Sequence, residues 1–214
     1  MRPETTADLR IPDPVEVSNE YNRNYLRAMK VTQAIQERRS IKQFTTRVVS
    51  RAEIETLLST ATQAPNHRLT QPWRFYVLGP DARHEYGLAL GARKAKKLGD
   101  PEAGRAVRDR VASEHRSLPA MIVVAMVEDA NPEASEENYA AVMMGVQNLA
   151  LAALELGLGT HIKTGAVMQD PAARAAAQVR DGERIVAVVN VGEPADEPQP
   201  KPRTPSPDCT TWVG

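Results

Sequence analysis

The run Pro119-Ala-Met-Ile-Val-Val-Ala-Met-Val127 has no polar side chain from end to end. Its length and branched composition are those of a strand, and a strand apolar at every position must be covered on both faces. Arg184-Ile-Val-Ala-Val-Val-Asn-Val191 is a second run of this kind. Two such strands require a sheet with helices on either side, and the remaining sequence supplies candidates. Ser50-Arg-Ala-Glu53 has the spacing of a capping box and opens a helix carrying Ile54, Leu57, Leu58 and Ala61, ended by Pro65. Asp81 can cap a helix running towards Leu98, and a charged helix follows from Pro101 to about His115. Glu133 to Leu156 reads as a long helix stopped by Gly157, nearly apolar all round from Ala140 and therefore central. Asp170-Pro171 starts a short Ala-rich helix, and Trp73 to Leu78 is a further strand. Helices outnumber strands and separate them. The expectation is a layered α+β (α/β) domain, a sheet flanked by helices, rather than a bundle or a β-sandwich.

The two ends of the chain read differently from the middle. Residues 1–30 hold Pro3, Pro12 and Pro14 among scattered charges and read as an arm leading into a helix, Asn19 to Arg39. The tail from Gly192 carries six of the sixteen prolines, so it can be neither a helix nor a central strand. Residues 193–214 are expected to form an extended arm over a surface, with the domain proper at 31–192. Arms at both ends fit a dimer whose termini embrace the partner; a solvated tail is the plainer alternative. Only 4% of residues are aromatic. The core must then be built from Ala, Val and Leu, which suits close helix packing of the kind found across subunit interfaces.

Several functions are excluded early. Lys+Arg and Asp+Glu are both 27, a formal net charge of zero, which argues against a polyanionic partner such as nucleic acid. The single cysteine, Cys209, rules out an intrachain disulfide and a cysteine zinc site. His67, His84, His115 and His161 show no metal-ligand spacing. Ala140 to Leu158, the most apolar stretch, is interrupted by Gln147, Asn148 and Glu155 and reads as a buried helix, not a membrane span. The N-terminal residues lack the basic–apolar–small pattern of a signal peptide. These readings predict a cytoplasmic protein with no metal, membrane or nucleic-acid partner.

Three segments carry candidate chemistry. Arg38-Arg39-Ser40, followed by Lys42, offers two guanidinium forks and a hydroxyl to a phosphate. The competing reading is that basic side chains at a helix C-terminus complement its dipole. Ala64-Pro-Asn-His-Arg-Leu-Thr-Gln-Pro-Trp-Arg-Phe75 gathers Asn66, His67, Arg68, Thr70, Gln71 and Arg74 between two prolines. That set can hydrogen-bond a planar heterocycle, or simply connect a helix to a strand, with Trp73 packing in the core. Gly157-Leu-Gly-Thr-His-Ile-Lys-Thr-Gly165 begins like a dinucleotide fingerprint but has Ile162 where a third glycine is needed, and it follows a helix instead of a strand. What remains is a Gly-flanked turn presenting Lys163 and Thr164, either the second arm of an anion site or a flexible turn.

RRSIKQF and APNHRLTQPWRF, in this order and ahead of the Gly-flanked segment, resemble the FMN-dependent nitroreductase family, and the loop form resembles its small bacterial members. The resemblance covers roughly Val31 to the C-terminus. It implies a nitroreductase-like α+β sandwich with a central mixed, mostly antiparallel sheet, and an intertwined homodimer with two FMN molecules at the subunit interface. It assigns Arg38, Arg39 and Ser40 to the FMN phosphate, ribityl chain and pyrimidine edge, and Lys42 to the N1/O2 edge. It assigns His67 and Gln71 to the same FMN from the partner subunit, and Ile162, Lys163 and Thr164 to the phosphate-side contacts. Ala152 to Gly157 matches a segment that the small members assign to the nicotinamide nucleotide. The chain departs from their pattern in its long N-terminal arm and in having Ile162-Lys163-Thr164 where an aromatic–Arg–Ser run can occur.

The implied activity is a ping-pong transfer of hydride from NADPH or NADH through FMN to a nitroaromatic, quinone or other electron-poor acceptor. No side-chain nucleophile is needed and none is expected. The same fold and cofactor also serve dehalogenation, enone reduction and flavin fragmentation, and a non-catalytic flavin-binding protein is the reading from another class.

Overall fold

The computed structural model describes residues 29–214. In chain order the elements are α1 (Val31–Glu37), α2 (Arg51–Ala61), β1 (Trp73–Val77), α3 (Pro80–Ala95), α4 (Pro101–Arg116), β2 (Ala120–Val127), α5 (Pro132–Glu155), β3 (Gly159–Lys163), α6 (Pro171–Ala176) and β4 (Glu183–Gly192). The strands form one sheet of order β1–β2–β4–β3, with each neighbouring pair antiparallel. A single parallel bridge, Ser40 to Thr160, adds a piece of chain beyond β3. The fold is α+β.

The two apolar runs are the central strands, and the alternation of a strand explains why each is apolar throughout. Ile122, Val124 and Met126 of β2 face Leu57 of α2 and Val142, Val146 and Leu149 of α5. Met121, Val123 and Ala125 face Tyr86 and Ala89 of α3 and Ala173 of α6. Neither face meets water, and each fully buried side chain of this size stabilises the fold by about 1.5–3 kcal/mol.

Small residues set the helix spacing. An added Cβ at Gly145 of α5 would lie 2.7 Å from the carbonyl oxygen of Ala61 in α2. At Gly87 and Gly91 of α3 it would lie 2.7 and 2.6 Å from the Cα atoms of Ala112 and Arg108 in α4. The close packing expected from the aromatic-poor composition therefore exists inside one chain.

Local signals hold with small shifts. Ser50 Oγ accepts from Glu53 N and Glu53 Oε2 accepts from Ser50 N, the reciprocal capping box that starts α2. That helix ends at Ala61, ahead of Pro65. Helix α3 starts one residue before Asp81, with Gly79 as its cap and Pro80 in its first turn. Of the helix expected from Asn19, the described part is α1, Val31–Glu37. The expected arm at 1–30 lies outside the described residues except for its last two positions.

The clearest correction concerns the Gly-flanked segment, which is a strand, not a turn. Gly157, at φ +67°, ends α5 in the left-handed conformation. Leu158 is buried, and Gly159–Lys163 then pairs along Val188–Gly192 of β4. The tail begins by joining this edge: Thr45 N donates to Glu193 O, and Ala195 N donates to Gln43 O. From Gln199 it is exposed and extended, apart from one short helical turn at Ser206–Cys209. No helix among the described residues is long and apolar enough to cross a membrane.

Candidate functional site

The first and third segments meet at a seam along β3. Ile41 N donates to Thr160 O at 2.9 Å, beside the Ser40–Thr160 bridge. The approach depends on Gly159, where a Cβ would lie 2.4 Å from Ile41 Cγ1. The seam lays Arg38–Lys42 along the strand that carries His161 and Lys163. Arg38 and Arg39 are half-buried, while Ser40 and Lys42 are exposed. The Arg39 guanidinium turns back on α1, donating to the carbonyls of Gln36 (2.6 Å) and Arg38 (3.1 Å). The helix-end reading is thus realised at Arg39, and it fixes the side chain at the seam.

Positive charge accumulates here without an acidic partner. Lys163 is half-buried; burial, then the charge of Lys94 on α3, pushes its ammonium below the usual lysine range. Burial, then Lys163 and Lys42, pushes His161 down. Among the described residues no carboxylate pairs with Lys163. A partly desolvated ammonium among other cations is stabilised by an anion, and a phosphate suits that donor set. Thr164 is exposed next to it. The Ile162 side chain instead packs against the core under α5, so it offers a ligand only its main chain.

The second segment is held elsewhere. After a short helical turn at His67–Leu69, it is organised by Asn66, whose Oδ1 accepts from Gln71 N at 2.6 Å and whose Nδ2 donates to Thr70 Oγ1 at 3.1 Å. Its outer side chains are tied to α5. His67 Nδ1 donates to Glu137 Oε1 at 2.8 Å, Arg68 Nε donates to Glu137 Oε2 at 3.1 Å, and Thr70 donates to Asn138. The His67 hydrogen bond, ahead of the Arg68 charge, holds the Glu137 carboxyl below the usual range. Arg68, Leu69 and Gln71 all have left-handed backbones, at φ 64°, 49° and 46°. Such conformations cost non-glycine residues about 1–2 kcal/mol each, and clustered strain of this sort marks functional loops. Trp73 is half-buried against the α5-side core.

His67 and Gln71 are exposed, and the loop's hydrogen bonds run to the first third of α5. The seam lies beside the strand that follows the other end of that helix. Glu137 to Glu155 spans about 27 Å of helix axis at 1.5 Å per residue. The structure thus sets Arg38–Lys42 alongside the strand that carries Lys163 and leads into Thr164, and places His67 and Gln71 apart from them. A cavity of about 450 Å³ opens between α2 and the end of β1, and none of these residues lines it. In the segment Ala152 to Gly157, Ala152, Ala153 and Leu156 pack into the core.

Sequence reasoning missed His115, Glu137 and Asn138. His115 had one signal: it lies four residues after Val111 on the buried face of α4.

Residues 35–193 match the model of the nitroreductase family. YfhC of Bacillus subtilis, whose name provisionally designates an NAD(P)H nitroreductase, is 33% identical over 83% of this chain and 91% of its own length. A nitroreductase-like family protein from Bacillus cereus superposes with a TM-score of 0.74 at 32% identity, over 86% of this chain and 96% of that one. A nitroreductase-type protein from Desulfovibrio desulfuricans, solved in complex with FMN, gives a TM-score of 0.65 at 26% identity, over the same shares.

Proposed function

The chain belongs to the nitroreductase family, and we propose that within it this protein is an FMN-dependent oxidoreductase. It passes hydride from NADPH or NADH to nitroaromatic, quinone or similarly electron-poor acceptors in a ping-pong cycle. The observation that carries this reading is the seam: Gly159 lets Ile41 close on Thr160, which sets Arg38–Lys42 along the strand that carries Lys163, a lysine with no acidic partner among the described residues. Relatives named for NAD(P)H and solved with FMN support it.

Bound FMN supplies the two-electron chemistry. This chain's residues bind and orient it. Arg38, Arg39 and Ser40 hold the phosphate, ribityl chain and pyrimidine edge. Lys42 stands at the N1/O2 edge, where a fixed cation stabilises developing negative charge. Lys163, Thr164 and the main chain of Ile162 complete the phosphate side. One open face serves the donor and the acceptor in turn, so no separate dinucleotide domain is required.

His67 and Gln71 act on the partner's FMN in a homodimer. The separation of the loop from the seam supports this, as do the exposed apolar side chains Val31 and Ile35 on α1 and Tyr139 and Met144 on α5. Residues 193–214 form an arm over the partner; Trp212 and Val213, each 92% exposed, are its apolar contacts. A cytoplasmic location, with access to reduced pyridine nucleotides, belongs to the same reading.

The purified protein is expected to be yellow, to release FMN on denaturation, and to bleach when NADPH or NADH is added anaerobically. Persistent oxidised absorbance at 450 nm with both donors would overturn the activity. A colourless protein that cannot be reconstituted would overturn the cofactor as well.

A further inference from the structure

His115 is buried in α4, on the side of β3 that Lys163 faces, a polar ring packed against Gly87 and Tyr86 of α3. Its Nδ1 lies 2.8 Å from the carbonyl oxygen of Val111. A carbonyl only accepts, so Nδ1 carries the proton, and in the neutral ring Nε2 is then an acceptor with a free lone pair. That lone pair meets Lys163 Nζ at 3.2 Å. The order of donors is therefore fixed from α4 outwards: His115 Nδ1–H donates to Val111, and the Lys163 ammonium donates to His115 Nε2.

The surroundings keep the ring neutral. Burial first, then the charge of Lys163, pushes His115 down; the hydrogen bond to Val111 opposes this, Lys94 of α3 adds to the lowering, and Glu114 opposes it weakly. Tyr86 of α3 stands beside the ring, 6.3 Å between centroids, and burial pushes its phenol up to about 12, so it stays neutral as well. A lysine on an edge strand is ordinarily a mobile point charge on a flexible stem. Here one of its three protons is taken by a rigid acceptor, which limits where the other two point.

We propose that His115 is a positioning residue that holds the Lys163 ammonium towards the anionic group of the bound cofactor. The proposal rests on the assignment of Lys163 to the FMN site. It adds an α4 residue that touches neither substrate nor flavin, and it explains why a histidine occupies an otherwise apolar position on that helix.

The test measures FMN affinity of the apoprotein by fluorescence quenching. His115→Leu removes the acceptor at similar volume and should weaken FMN about three- to tenfold, the scale of one hydrogen bond. His115→Gln keeps an acceptor oxygen and should retain most of the affinity. In a Lys163→Met background, His115→Leu should have no further effect. Riboflavin, which lacks the phosphate, locates the ammonium: loss with FMN alone puts it at the phosphate, as proposed, and equal loss with both puts it at the uncharged flavin edge and overturns the anionic assignment. Equal binding by His115→Leu and wild type, with Lys163→Met weakened, would overturn the proposal and leave the site intact. If Lys163→Met itself binds normally, the Lys163 assignment fails and the proposal with it. Nitrogen-15 NMR gives a readout free of ligand. The apoprotein should show His115 protonated at Nδ1 and bare at Nε2, and the opposite tautomer overturns the inference even should a variant misfold.

Discussion

The seam at β3 and the loop at 66–71 prepare for a ligand in opposite ways. Backbone regularity marks the seam, which is a bridge and one hydrogen bond between extended segments, but its cations are crowded: Lys163 and Lys42 both act on His161, and Lys163 acts on His115. In the loop the charges are compensated, because Glu137 takes both His67 and Arg68, and the backbone carries the stress instead, with three residues in the left-handed region. One region holds electrostatic tension that a bound anion would relieve. The other stores conformational strain that fixes side-chain directions before any ligand arrives. A ligand should therefore stabilise the seam strongly and the loop weakly.

Mixing separates the two regions most sharply. His67→Ala and Arg39→Ala chains, each inactive alone, should regain activity when subunits exchange, since one site of the mixed dimer is intact. No recovery despite demonstrated exchange would place both regions in one chain's own site. Next in size, Arg39→Ala removes a charge-assisted hydrogen bond worth about 1.5–3 kcal/mol and should weaken FMN roughly ten- to a hundredfold. Unchanged affinity would confine Arg39 to its role at the end of α1.

Acidification is the third probe. His115 and His161 have folded-state values below those of the unfolded chain. Below the unfolded value near 6.5 the unfolded state binds more protons, so apoprotein stability should be full above about pH 6.5 and fall as pH drops through the lower folded values. Denaturant melts of apo and FMN-loaded protein between pH 5 and 8 check this. The loss should be smaller when FMN is bound, and an equal loss would show that the ligand does not sit near these two imidazoles. The smallest effect is expected at Leu69, 78% exposed and left-handed. Leu69→Gly relieves strain and should leave stability unchanged or raise it by up to about 1 kcal/mol. A loss of stability would mean that Leu69 is covered in the assembled protein.

The central sheet was legible because burial on both faces leaves an unbroken apolar run, as in β2 and β4. Caps were legible because they are local: Ser50 and Glu53 are three residues apart. Strand β3 was not, since Gly159-Thr-His-Ile-Lys163 has neither alternation nor an apolar run and becomes a strand only because β4 offers an edge. Of the site, Arg38, Arg39, Ser40, Lys42 and Lys163 stood out as anion donors from their chemistry and gained FMN roles from the resemblance, but the approach of the two segments depends on the missing side chain of Gly159. The anchors Glu137, Asn138 and His115 were hidden in helices whose pattern says only which face is buried. A helix pattern carries no record of what a polar residue on it will meet across a gap of 48 or more positions in sequence.

The seam has a consequence for the order of events when the chain folds and opens. Ser40 and Thr160 lie roughly 120 residues apart, so joining them closes a long loop whose entropic cost must be met by contacts made elsewhere first. One main-chain hydrogen bond to β3 and two to the chain after β4 hold this segment, few enough that it should be among the last contacts to form and the first to release, as a locally unfolding unit distinct from the sheet. Amides at Ile41 and along the free edge of β3 should exchange with solvent while β2 and β4 remain protected. A ligand held there, as proposed, should leave at the rate at which this clasp opens and not at the rate at which the fold opens.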